Sequence, residues 1–171
     1  MKITGKKHNG RWSANDFFRD LTARNIMCRR NGFAFRTVSG LAGFEEALAA
    51  ALDDVAFVAV SDTADGYTQI NPTPSTRRVK TVFMAMRHDP DDQQARNRAF
   101  DLMHEIFNQF MSVLIQERTR LEQNRIYLDE RITFQEIDRY FFTGAACAHF
   151  SLAFDVFNDL RYDPRQWTHE E

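Results

Sequence analysis

The most regular hydrophobic pattern in the chain lies between Asp89 and about Gln123. There Leu102, Met103, Ile106, Phe107, Phe110, Val113 and Leu114 recur at steps of three and four. That is the period of one face of an α-helix. Asp101, Glu105, Asn108, Gln109, Ser112 and Gln116 fall on the other side. Asp89 suits the N-cap, Pro90 the first helical turn, and Asp91 and Asp92 the positive end of the helix dipole. Phe107 sits mid-stripe and is expected to be buried. A helix of about 30 residues reaches roughly 45 Å. Its charged end, Arg118 to Arg125, is therefore expected to overhang the core or meet another chain. Val79 to Arg87 leads into it as a strand with apolar groups on both faces, which predicts cover on both sides.

The remaining pattern is shorter-ranged. Residues 1–13 are basic and show no period, so they read as an arm, with a frayed terminus as the plain alternative. Residues 14–31 predict a helix with Ser13 or Asn15 as its cap, closed by Asn31-Gly32. Phe33 to Val38 reads as a strand or link, and 41–53 as a second helix with Ser39 as cap. Val55 to Ser61 is an apolar run typical of a buried strand. Asp62 to Thr76 reads as a loop, because Asn71-Pro72-Thr73-Pro74 disfavours a central strand. Its length marks it as an interaction loop. Ile132 to Phe142 and Ala148 to Phe157 predict two strands joined near Gly144. In the second, Ala148, Phe150, Leu152, Phe154 and Val156 share one face. The expected fold class is α+β: an antiparallel β-sheet with helices packed on one face, in the order α-α-β-β-α(long)-β-β. Residues 1–40 form a basic arm and helix, 41–160 one domain, and 161–171 an irregular tail.

Composition adds an emphasis on packing. Of 171 residues, 16 are Phe against 4 Tyr and 2 Trp, and Phe carries no polar tip. Charge is uneven. Residues 1–36 hold nine Lys/Arg against two acids, hence +7, so the net −2 leaves −9 for the remainder. Cys28 and Cys147 lie far apart, and a reduced compartment is the default. No apolar run follows the basic start, so a secretory signal is not expected, and no stretch is long enough for a membrane span. A soluble intracellular protein, or part of an assembly made in a cell, is the expectation.

Candidate chemistry is sparse. His104-Glu105-Ile106-Phe107-Asn108 begins like a zinc-protease helix, but Asn108 stands where the second histidine is required. Asp62-Thr63-Ala64-Asp65-Gly66 has calcium-loop letters without the ligand spacing or closing glutamate. Glu136 and Asp138 share a strand face with Phe134 and Tyr140, which an exposed face explains as well as acid–base chemistry does. No serine elbow or phosphate-binding glycine loop occurs. No catalytic residue, metal site or cofactor is expected. The basic first third, with Phe17, Phe18, Phe33 and Phe35 nearby, could contact phosphates. Docking of that segment on the acidic remainder, in one chain or between neighbours, is preferred.

From about Phe44 to Phe157 the chain resembles the tail terminator, or tail completion, proteins of tailed bacteriophages and related contractile injection systems. The resemblance lies in the order of FEEALAAALDD, the apolar strand VAFVAV, a loop with prolines, RRVKTVFMAM, the long amphipathic helix, and two strands with Gly144 and HFSLAFDVF. It implies a non-enzymatic structural protein forming a homo-oligomeric ring, with a hexamer as a candidate size. Its partners would be tail tube and neck proteins, in the bacterial cytoplasm during assembly and then in the particle. For such a ring the candidate interface residues are Lys6, Lys7 and Arg11 of the arm, Asn71 of the loop, and Arg77 and Arg78 leading into the strand. The arm is long enough to cross onto a neighbour. A nucleic-acid-binding domain using residues 1–36 is the rival, and a small enzyme with an unrecognised site a third reading.

Overall fold

The computed structural model describes residues 12–50, 55–137, 144–157 and 160–167. The first helix, α1 (Ala14–Arg24), starts where Ser13 Oγ accepts the Asp16 N–H at 3.2 Å. It does not run on to residue 31. Asn25 leaves the helical region, and its side chain caps a second short helix, α2 (Ile26–Arg30), by accepting the Cys28 N–H at 2.9 Å. Asn31 and a left-handed Gly32 (φ 69°) then turn the chain into strand β1 (Phe33–Val38). Helix α3 (Gly40–Ala50) follows, and the rest of the predicted second helix lies outside the described residues. The Ser39 hydroxyl, just before it, donates to Asp62 Oδ2 at 2.9 Å.

Strand β2 (Ala56–Ser61) is buried along its whole length. The segment expected to be a loop contains strand β3 (Asp65–Gln69), paired antiparallel with the start of β4 (Ser75–Arg87). The prolines sit in the connection, outside the ladder they would interrupt. Helix α4 (Gln93–Gln123) begins later than expected, because Asp92, not Asp89, caps it through the Ala95 N–H at 2.8 Å. Asp89 instead accepts the Asp91 N–H in the preceding turn. The charged end of α4 does not overhang. Leu121 is buried with Ile126 and Phe154, beside strand β5 (Ile126–Leu128), which the pattern did not reveal. Strands β6 (Phe134–Ile137) and β7 (Ala145–Phe157) complete the sheet.

The α+β class holds: seven strands run along β1-β2-β4-β7-β5, with β3 beside β4 and β6 beside β7. Among the described residues every pairing is antiparallel except β1 with β2. That parallel pair explains the placement of α3. Parallel neighbours need a crossover, and α1 and α4 already occupy one face, so α3 lies on the other. Helices therefore cover both faces, not one. On the α1/α4 face, Phe18 packs against Phe110 and Phe150 at 5.8 and 5.6 Å, with Met84, Met103, Ile106 and Leu114 around them. Phe107 flanks this stripe half-buried, 5.0 Å from both Phe134 and Phe150. On the α3 face, Phe44 stacks on Phe83 at 4.6 Å and tilts against Phe57 at 5.6 Å. Among the described residues no helix is long and apolar enough to cross a membrane.

Candidate assembly interface

Strands β4 and β7 pair over thirteen residues each, from Ser75↔Phe157 to Arg87↔Ala145. Side chains alternate along them, so successive rows of the α3 face can be read from the register. Phe57, Ala85, Cys147 and Ile137 form a row beside α3 and join the Phe44 cluster. Ala59, Phe83, His149 and Gln135 form the next. Beyond it no described helix crosses the sheet. The rows there are Thr81 with Ser151, then Asp65, Val79 and Ala153, then Tyr67, Arg77, Asp155 and Tyr127, then Gln69, Ser75 and Phe157. Half of the central ladder is thus core, and half is an open plate.

The plate is held together by specific contacts. Arg77 donates to Asp155 Oδ2 at 3.1 Å and to Asp129, which ties β4 to β7 and to the residue after β5. The hydrogen bond to Asp129 is the chief reason the Arg77 guanidinium is held above its ordinary pKa. The Asp129 carboxyl lies below the usual range, first through the Arg131 N–H and then through Arg77. Lys80 closes the turn into β3 by donating to the carbonyls of Ser61, Asp62 and Thr63, each at 2.8 Å. Gly66 is required by close approach: a Cβ there would stand 1.9 Å from the Arg77 carbonyl oxygen. Across the hairpin, Thr68 and Thr76 hydroxyls lie 3.2 Å apart.

Four large apolar side chains are exposed at the edges of the plate and in the hairpin connection. Tyr67 is 60% exposed, Ile70 76%, Tyr127 42% and Phe157 40%. Tyr127 and Phe157 meet edge to face at 5.1 Å. None of these four was singled out by sequence, since an isolated exposed aromatic carries no pattern. Of the predicted interface residues, Asn71 is exposed in the hairpin connection and Arg78 is exposed on the opposite face of β4. Arg77 pairs with two carboxylates of its own chain, Asp129 and Asp155. Lys6, Lys7 and Arg11 lie outside the described residues.

At the border between α3 and the plate lies a cavity of about 380 Å³. Val79, Thr81, Phe83 and Ile137 contribute from the strands, Glu45 from α3, and Asp65 from β3. His149 also lines it. Its Nδ1 is buried without a hydrogen-bond partner among the described residues, and burial lowers its pKa.

The other candidate chemistry disperses. His104 is exposed on α4, with Nε2 3.2 Å from Glu136 Oε1 and its ring 4.1 Å from Phe134. Asp138 and Tyr140 lie outside the described residues. Among the described residues no group of three or more His, Cys, Asp or Glu is placed to hold a metal. Cys28 and Cys147 are free and buried, and burial pushes both thiols up to about 12. In the basic first third, Arg19 pairs with Asp16, Arg24 with Asp20, and Arg36 lies over Phe57 at 6.0 Å. Compared with known protein families and with curated proteins, the sequence matches none.

Proposed function

We propose that this chain is a structural assembly protein that closes into a homo-oligomeric ring, in the manner of phage tail terminators. The ring would cap a tail tube and meet the neck of a phage or phage-like particle. The observation that carries the reading is the bare half of the sheet with its aromatic rim. Large aromatic side chains exposed on one sheet face with no helix over it support an interaction site there, and aromatic residues are enriched in the cores of such sites. Four strands at about 4.8 Å spacing and some six residue steps give the plate roughly 400 Å². A stable contact takes about 800 Å² per partner, so the hairpin tip and the cavity rim must contribute as well.

The test is a Tyr67→Ser/Phe157→Ser double variant, compared with wild type by native mass spectrometry and light scattering, with and without tail tubes. The expected result is a closed oligomer for wild type under at least one of these conditions. The variant should lose it with an unchanged melting temperature. A strict monomer that ignores tubes, and binds duplex DNA at low salt, would refute the ring and favour nucleic-acid binding through residues 1–36.

A further inference from the structure

The cavity beside α3 has a chemistry of its own. Its floor includes Val79, Phe83 and Ile137, and the charged side chains among its lining residues are the carboxylates of Glu45 and Asp65. His149 is held towards its neutral form by burial. A largely apolar cavity with hydroxyls of Ser61, Thr63 and Thr81 and two carboxylates in its lining fits a side chain with an aliphatic stem and a cationic head, which describes lysine and arginine.

This chain carries such a ligand. Residues 1–11 hold Lys2, Lys6, Lys7 and Arg11 and no acid. Trp12, where this segment begins, packs against Phe17 at 5.6 Å and Phe154 at 5.4 Å. Phe154 belongs to the α1/α4 side of β7, whereas Phe83 and His149 of the cavity belong to the α3 side. Trp12 therefore lies on the face opposite the cavity, with the sheet between the two. Eleven extended residues span at most about 40 Å. That is enough to cross from one subunit to a cavity opening on the plate where the next subunit would sit. A contact between two different surfaces of identical chains is the head-to-tail kind that closes rings.

From this we infer that the cavity receives a lysine or arginine of the N-terminal arm of a neighbouring copy, with the cation set between Glu45 and Asp65. The inference rests on the ring reading and specifies the joint between subunits. The joint is partly electrostatic, so it sets register more than affinity and weakens with salt.

Two full-length variants test it: one with Lys2, Lys6, Lys7 and Arg11 all changed to Gln, the other Glu45→Gln/Asp65→Asn. Both sets of changes fall on the arm or on exposed side chains, and circular dichroism checks the fold. Under the conditions in which wild type assembles, each variant alone should show at least a tenfold higher assembly midpoint. An equimolar mixture should recover assembly in part, because every second joint of an alternating ring then pairs an intact arm with an intact cavity. Recovery cannot arise if each arm serves its own chain, so two defective variants with no rescue would overturn the proposal. Two variants that assemble like wild type would overturn it too, while leaving the ring intact. A wild type that never assembles would remove the ring reading itself, and neighbour occupancy with it.

Discussion

Replacing Arg77 by methionine should loosen the plate without abolishing the fold. The guanidinium donates to Asp129 and Asp155, and the three side chains are 26%, 34% and 33% exposed. Solvent screening at that exposure limits each pair to about 0.5–1 kcal/mol. Methionine retains most of the stem, so the loss is mainly of charge. The expected cost is about 1–2 kcal/mol at pH 7, or roughly 2–8 °C in Tm for a chain of this size. The sign with pH follows from Asp129, whose carboxyl is held low in the folded state. A depressed carboxylate contributes stability above its unfolded pKa, near 3.9, and loses it as pH falls through the folded value. The gap between wild type and Arg77→Met should therefore be constant from pH 7 to about 5 and close below pH 4. Urea unfolding followed by tryptophan fluorescence across this range measures it. A gap that persists at pH 2.5 would show that the cost lies in strand packing. Equal stability at pH 7 would show that the clamp contributes nothing.

Phe110→Ala should cost about 3–5 kcal/mol, because the ring is fully buried, and half-buried Phe107→Ala about half that; equal losses in thermal unfolding would misplace the centre of the α4 stripe. Gly66→Ala should free β3 from β4, since backbone atoms occupy the Cβ position, and hydrogen exchange at Tyr67 to Gln69 should rise while β7 stays protected. Unchanged protection would mean that the hairpin relaxes around the methyl group. Cys28 and Cys147 should resist thiol reagents at pH 8 until the chain is unfolded by urea; rapid labelling of the native protein would contradict their burial.

Long periodic elements were legible in sequence because they bury one continuous side. The α4 stripe and the β7 alternation each faced a core that dictated the pattern, although the buried centre of the stripe is Phe110 and Phe107 lies half-buried at its flank. Strand β3 left no such trace. All five of its residues are exposed, so it is held by backbone pairing with β4, and pattern reports burial rather than pairing. The same loss of signal hid β5, which has three residues. The start of α4 was misplaced because several aspartates compete to cap it and local hydrogen bonding decides among them. Placement of α3 followed from a parallel pair between β1 and β2, a long-range relation that no local window contains. The cavity joins residues as distant as Glu45, Thr81 and His149, so folding alone brings them together.

Because β4 and β7 share one ladder, the core dictates how the surface is spelled. Phe83 and Phe150 are buried, and Tyr67 and Phe157 are presented, through one register. A slip by a single residue would turn every side chain over, so the burial that keeps the strands aligned also proofreads what is shown to a partner. Letters on the plate can then drift towards new partners while their addresses stay fixed. A lineage could rewrite whom it docks with and never renegotiate how it folds.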